Sequence, residues 1–89
     1  MEYGLLILRG NLKMRSANIK LSLTENVKTF VNIVSRYGYD VDLRSGRHCV
    51  DAKSLLGIFS LDLSKPVTVE VYNDSCDDLM AELKPFILG

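Results

Sequence analysis

Polar and apolar residues alternate along three stretches of the chain, which is typical of strands with one buried face. The stretches are Ala17 to Leu23, Tyr39 to Arg44 and Val67 to Tyr72. Ser45-Gly46 is a turn signal, and Arg47 to Asp51 follows it, so this segment should return as the second arm of a hairpin. The pattern therefore predicts four strands.

Between these strands, apolar residues recur at helical spacing. One helix is predicted from Thr24, as its N-cap, to about Arg36, with Gly38 as a left-handed cap at its end. A short helix should follow Ser54, and a last helix should follow Ser75 as its N-cap. Pro85 stands where that last helix should end or kink.

The apolar faces of these elements predict one core and one open sheet face. The predicted core residues are Phe30, Val31, Val34, Val41, Leu43, Val69, Val71, Leu79 and Leu83. Asp40, Asp42 and Glu70 fall on the opposite face and should line it. The order of elements predicts an α+β fold with helices on one face of a mainly antiparallel four-stranded sheet.

Residues 1–15 are predicted to be an N-terminal extension, and residues 16–89 the domain. Tyr3 to Leu8 has the length and composition of a short strand, and Arg9-Gly10-Asn11 has turn chemistry. The extension is therefore either an added edge strand or a partly ordered tail. As an edge strand it would offer a route to a homodimer.

Apolar residues are crowded into the short helix after Ser54. The five residues are Leu55, Leu56, Ile58, Phe59 and Leu61. They span more than half the circumference of a helix, so they cannot all face one core. We therefore expect Leu55, Leu56 and Phe59 to include an exposed apolar cluster that binds a protein partner.

The same segment resembles a family signature. Lys53-Ser54-Leu55-Leu56-Gly57-Ile58-Phe59-Ser60-Leu61 is similar to the serine-site sequence of HPr, the small phosphocarrier of the bacterial sugar phosphotransferase system. The resemblance extends from about Ile19 to the C-terminus, with the same loop lengths after Val27. It implies the HPr-like open-faced β-sandwich (βαββαβα) and a protein that is not an enzyme and needs no cofactor.

The chain departs from this family where the phosphoryl group is carried. An HPr phosphocarrier has a histidine at the N-terminus of its first helix, where backbone N–H groups hold a phosphate, and an arginine nearby. Counting back without gaps from Val27 places Leu23 at the histidine and Glu25 at the arginine. If Ala17 to Leu23 is matched to the family's first strand instead, the loop carrying the histidine is missing. Either alignment loses the site, as in Crh, the family's regulatory relative without that histidine.

Composition excludes several other functions. Eleven basic residues balance eleven acidic residues, so no global field favours nucleic acid or an anionic membrane. No apolar run approaches the roughly 18 residues of a membrane span, and Leu5 to Leu8 lacks the features of a signal peptide. Cys49 and Cys76 have neither the number nor the spacing of a disulfide framework or zinc site. These features favour a cytoplasmic protein with reduced thiols.

Few side chains outside the short helix are candidates for chemistry. His48 is the only histidine, so it is the one candidate for a displaced phosphoacceptor, although it lies in the hairpin. Nothing in the sequence lowers the pKa of the Cys49 thiol. Asp40, Asp42 and Asp51 should be spread along the wet sheet face as solvated residues, so no metal site is predicted.

Ser54 is interpreted in two ways, as a plain helix cap and as a regulatory phosphorylation site. The resemblance implies the second role, because the matching serine of the family is phosphorylated by a kinase and the patch beside it docks enzymes and transcription regulators. We therefore interpret the chain as a regulatory module without phosphocarrier activity, binding a phosphotransferase-system component, kinase or transcription regulator. The alternatives are a true phosphocarrier with a displaced phosphoacceptor and a self-associating structural domain.

Overall fold

The computed structural model describes residues 14–73 and 75–88. Its strands are β1 (Arg15–Ile19), β2 (Val41–Ser45), β3 (His48–Asp51) and β4 (Val67–Val71), and its helices are α1 (Thr24–Ser35), α2 (Leu55–Phe59) and α3 (Asp77–Leu83), followed by a 3-10 turn at Lys84–Phe86. The predicted α+β fold and order of elements are confirmed, but β1 begins and ends earlier than the predicted stretch from Ala17 to Leu23. The extra strand predicted at Tyr3 to Leu8 lies outside the described residues.

The four strands form one sheet in the order β1-β4-β2-β3, and each neighbouring pair is antiparallel. The β2–β3 hairpin turns at Gly46, whose φ of 60° suits a residue without a Cβ. The chain returns to the sheet after α3, where Ile87 bridges to Ile19 and the Leu88 N–H donates to the Asn18 carbonyl at 2.9 Å. This return covers part of the outer edge of β1.

The core lies between the sheet and the helices because the strands alternate as predicted. Val69 on β4 faces Ala17 on one side and Leu43 on the other, and Val69 and Leu43 are fully buried. Every residue of the predicted core is buried except Val31, which is half-buried and packs against it. Phe30 of α1 meets Phe86 edge to face, which joins the first helix to the C-terminal turn.

The helix ends differ from the predicted caps. Thr24 is the first residue of α1, and Leu23 takes the N-cap position. Gly38 is not left-handed; α1 closes instead through N–H bonds from Arg36 to Ile33 and from Tyr37 to Val34. Cys76 rather than Ser75 occupies the N-cap of α3. The prediction that the last helix ends or kinks at Pro85 is confirmed as an end: α3 stops at Leu83, and Pro85 lies in the 3-10 turn that follows.

A cluster of polar and aromatic side chains joins the end of α1 to α3 and to the turn before α2. Tyr37 and Tyr39 stack with ring centroids 5.8 Å apart. The Tyr39 hydroxyl donates to Asp78 at 3.0 Å, while the Tyr37 hydroxyl bonds to Glu82. That bond, more than burial, raises the pKa of Tyr37 to about 12. These contacts hold the segment between α1 and β2 against α3.

The open sheet face is less solvated than predicted. Glu70 keeps only 9% of its exposure, because Arg44 donates two hydrogen bonds to its carboxylate, both at 3.1 Å. The Tyr72 hydroxyl donates to Asp42 Oδ2 at 3.0 Å. Burial, followed by this bond, raises the pKa of Tyr72 to about 12. The predicted positions of Asp42 and Glu70 on this face are correct, but both are members of a network.

None of the helices in residues 14–73 and 75–88 has the length and apolarity needed to cross a membrane. The longest of them, α1, has 12 residues. Its apolar side chains face the core, and its remaining positions are largely polar and exposed.

Truncation of the central valine tests the assignment of strand faces. We expect Val69→Ala to lower the free energy of unfolding by about 2 kcal/mol or more, because it opens a cavity between sheet and helices. Val31→Ala removes the same atoms from a half-buried position and should cost less. Urea unfolding measures both, and a loss within about 0.5 kcal/mol for Val69→Ala would contradict its burial.

Candidate functional site

Ser54 caps α2 and is itself held by a tight turn at the end of β3. The Lys53 N–H donates to Asp51 Oδ1 at 2.9 Å, and the Ser54 N–H donates to the Asp51 carbonyl at 3.0 Å. Ser54 Oγ then accepts from the Gly57 N–H at 3.2 Å. The predicted cap is confirmed, and the hydroxyl is only partly exposed.

Gly57 allows the first turn of α2 to approach both Ser54 and the sheet. A Cβ at this position would lie 3.2 Å from Ser54 Oγ and 3.3 Å from Val50 Cβ. Either distance is closer than ordinary van der Waals contact, so a larger residue would push α2 away from β3. A glycine inside a helical pattern is the sequence signal of such a close approach.

The apolar side chains of α2 divide between the core and the surface. Ile58 is fully buried and Leu61 nearly so, because they face the sheet and α1. Leu56 is 83% exposed and Phe59 41% exposed, while Leu55 is half-buried. We name Leu55, Leu56 and Phe59 the α2 patch. Leu56 is the most exposed of these side chains, and it is not among the residues that pack against the core.

The start of α1 carries a further exposed apolar side chain. Leu23 occupies the N-cap with 60% of its surface exposed, and its carbonyl accepts the N–H groups of Asn26 and Val27. Its side chain has no atom that could accept a hydrogen bond or a phosphoryl group. Glu25 follows in the first turn and is exposed.

Two lysine contacts determine how α1 lies relative to α2. Lys53 Nζ donates to the Tyr37 carbonyl at the end of α1, and Lys20 Nζ donates to the Ser64 carbonyl in the segment after α2, both at 2.9 Å. The residue before the Ser54 cap is therefore tied to the segment after α1, and the segment after α2 is tied to the segment that leads into α1.

The contact between Lys53 and Tyr37 affects whether Lys53 could neutralise a phosphate on the neighbouring Ser54. Its ammonium group is bonded to the Tyr37 carbonyl and is partly buried. To meet a phosphate on Ser54, the lysine would first have to release the end of α1. Charge compensation by Lys53 would therefore cost a structural hydrogen bond.

The β2–β3 hairpin carries His48 and Cys49, the other residues that the sequence analysis considered for chemistry. His48 is exposed on β3, opposite Ser45 and next to the turn, far along the strand from the Ser54 cap. Cys49 is exposed too, and its thiol donates to Asp42 Oδ2 at 3.6 Å. Desolvation first, and then the Asp42 charge, raise the pKa of this thiol. The structure brings neither side chain to the α2 patch.

The acidic residues are closer together than expected. Asp42 and Asp51 are directly opposite each other on β2 and β3, so the strands do not simply spread them. Their carboxylates are used differently: Asp42 accepts from Tyr72 and Cys49, and Asp51 accepts from the Lys53 backbone. Within the described part of the chain, no group of three or more His, Cys, Asp or Glu could hold a metal ion.

Sequence reasoning missed the network on the open sheet face. Asp42 and Arg44 lie on β2, Glu70 lies on β4 and Tyr72 directly follows it, so their pairing depends on the register of β2 against β4. Period-two spacing places Glu70 and Tyr72 on the same face, which was the one available signal. The opposing register was not readable from one sequence.

Comparison with known proteins agrees with the fold and the short-helix signature. The family model described as PTS HPr component phosphorylation site matches residues 24–87, so its match begins just after Leu23. No curated protein sequence matches the chain significantly.

Two solved structures are similar to this one. A phosphocarrier protein HPr from Bacillus anthracis str. Ames superposes with a TM-score of 0.65 at 18% identity, covering 88% of this chain and 99% of that chain. HPr-C-His from Thermoanaerobacter tengcongensis superposes with a TM-score of 0.68 at 23% identity, covering 85% and 91%. At these low identities the two structures show that the fold is shared. The match to the family model shows that the chain is related to the HPr family. The chain belongs to the HPr family of the phosphotransferase system, whose members are phosphocarrier proteins rather than enzymes.

Proposed function

We propose that this protein is a regulatory, protein-binding member of the HPr family without histidine phosphocarrier activity, and that it is not an enzyme. The observation that carries the proposal is Leu23 at the N-cap of α1, the position where the ungapped alignment expects the phosphoacceptor histidine. A carrier must accept and release a phosphoryl group readily, which an imidazole does. An alkyl side chain has no nucleophilic atom.

The charge at the start of α1 also argues against phosphate. Glu25 is exposed in the first turn, where the family's arginine would neutralise the phosphoryl group. A carboxylate there repels a dianion, although it stabilises the helix through the macrodipole. The first turn is thus suited to helix stability and unsuited to phosphoryl transfer.

The α2 patch supports binding of a protein. Leu56 exposes 83% of its surface beside Phe59, and exposed apolar groups of this kind mark interaction sites more often than they arise by accident. The partner class is a phosphotransferase-system component, a kinase or a transcription regulator, all of them cytoplasmic.

Ser54 is the proposed control point of this patch. A phosphate would add nearly two negative charges on the residue before Leu55 and would replace the hydroxyl that caps α2. A partner that buries Leu55 and Leu56 would then have to desolvate that charge. Because Lys53 is held by Tyr37, little compensation is nearby.

The first test concerns phosphoryl transfer. Incubation with enzyme I and phosphoenolpyruvate should leave the protein unlabelled, while a histidine-containing HPr in the same reaction is labelled. The double variant Leu23→His, Glu25→Arg should gain label if Leu23 occupies the phosphoacceptor position. Stoichiometric, acid-labile label on the natural sequence would overturn the proposal, and its loss in His48→Ala would identify a displaced phosphoacceptor.

The second test concerns the α2 patch. Leu56→Asp should abolish capture of the partner from a lysate of the native host, while its free energy of unfolding changes by less than about 0.5 kcal/mol, because the side chain is exposed. Leu88→Asp places the same charge on another exposed leucine, near β1, and should leave capture intact. Equal capture by Leu56→Asp and the natural protein would contradict the patch as the docking site.

The third test separates the two roles of Ser54. Ser54→Ala should lower the free energy of unfolding by about 1 kcal/mol, because Gly57 loses its hydrogen-bond acceptor, and should leave partner binding nearly unchanged. Ser54→Asp keeps an acceptor and adds charge, so it should preserve stability and weaken binding. Titration of the captured partner with both variants distinguishes these outcomes, and identical binding by both would reduce Ser54 to a helix cap.

A further inference from the structure

The outer edge of β3 is open in the described part of the chain. β3 is the last strand in the sheet order and pairs only with β2, whereas the opposite edge strand, β1, is partly covered by residues 87–88. Arg47, His48, Cys49 and Asp51 are all exposed along this edge. An open edge presents unpaired N–H and C=O groups to any strand that can align with it.

The hairpin geometry decides which backbone groups face outward. Gly46-Arg47 is a two-residue turn closed by Ser45 opposite His48. In such a hairpin the closing residues exchange hydrogen bonds, and the next pair along does not. His48 and Val50 therefore direct their backbone groups toward β2, while Cys49 directs its N–H and C=O toward the open edge.

We propose that β3 pairs with β3 of a second copy of this chain, antiparallel and centred on Cys49, to form a continuous sheet across a twofold axis. This inference does not rest on the proposed function. It concerns the sheet edge rather than the α2 patch, and its partner is the same protein.

Charge complementarity selects this register. Residues opposite each other in an antiparallel pair share a face of the sheet, so outward-directed positions must oppose one another. Of the twofold registers, only the one centred on Cys49 places Arg47 opposite Asp51 of the second copy, and symmetry produces this contact twice. A centre at Arg47 or at Asp51 would oppose like charges, which is destabilising.

One backbone group of these residues is already engaged: the Asp51 carbonyl accepts the Ser54 N–H, so the pairing would use the Cys49 N–H and C=O and the Asp51 N–H. Asp51 Oδ1 accepts the Lys53 N–H, so Oδ2 is the oxygen that would meet the guanidinium. Cys49 holds Asp42 only through a 3.6 Å sulfur contact, which a change of rotamer releases. The formal net charge of zero means that two copies do not repel each other at long range. The strand has four residues, so the dimer should be weak and concentration-dependent.

Cys49 provides a direct reporter of the register. In a hydrogen-bonded antiparallel pair, opposed Cα atoms are about 5.5 Å apart, which is within the usual span of a disulfide. Oxidation of the full chain by diamide at alkaline pH should therefore join two copies through Cys49: two thiols lose their hydrogens to diamide, and one S–S bond forms. Cys76 is fully buried, so Cys49→Ser should abolish the product.

Charge reversal tests the same register in solution. By sedimentation equilibrium, Arg47→Glu should weaken dimerisation at least about tenfold, because two attractive contacts become repulsive. Lys65→Glu makes the same charge change at an exposed position after α2 and should have no effect. Asp51→Arg should also remain monomeric. An equimolar mixture of Arg47→Glu and Asp51→Arg should restore dimers, since both contacts then pair opposite charges.

Three results would overturn the inference. They are a full chain that stays monomeric at its highest soluble concentration, a dimer that Arg47→Glu weakens less than about twofold, or a disulfide that forms equally fast in Arg47→Glu. The second result would assign the interface to another surface, such as residues 1–13. Because Asp51 also supports the turn before Ser54, thermal unfolding of Asp51→Arg checks its fold, and the Arg47→Glu and Cys49 results stand without it. Leu56→Asp should leave dimerisation unchanged whatever it does to partner capture.

Discussion

The burial of one face of β4 is the constraint on which the other elements depend. Val67, Val69 and Val71 are all buried, and β4 lies between β1 and β2, so each neighbouring strand must present its own apolar residues to the same side. The opposite face of β4 follows from this choice. Glu70 is brought into the middle of a sheet, where Arg44 neutralises it through a bidentate contact. Both faces of the sheet are thus determined by the alternation within a single strand.

The position of α2 follows from the sheet and explains its exposed side chains. β3 ends at Asp51, whose backbone and side chain fold the chain back, and Gly57 permits the next turn to approach within contact of Val50. The helix has only five residues, so it places Ile58 in the core and leaves Leu56 in solvent. The exposed apolar surface is therefore a geometric consequence of a short, tightly held helix, and selection can retain it as a binding surface.

The alternation of apolar and polar residues was enough to predict the sheet, its faces and the core. This alternation is a local signal, and it decides which side chains are buried, which has a large effect on the free energy of folding. The capping of α2 by Ser54 was predictable for the same reason. Leu23 and Cys76 as N-caps were not, since Thr24 and Ser75 have the better intrinsic preference; burial of Cys76 favours its position, whereas Leu23 is exposed. The contact between Asp42 and Tyr72, like the one between Lys53 and Tyr37, joins residues distant in sequence, and no local pattern carries that information.

Leu23 and Leu56 are exposed apolar residues that the core does not need. Leu23 contributes its backbone carbonyl to α1 and exposes most of its side chain, so the residue at this position can change at little cost to the core. Leu56 is equally dispensable for packing. Neither of these large apolar side chains buries most of its surface against the described part of the chain, so neither contributes much to folding. Association with another protein would remove that surface from water, so these two residues, rather than the well-packed ones, are the basis of the proposed interaction role.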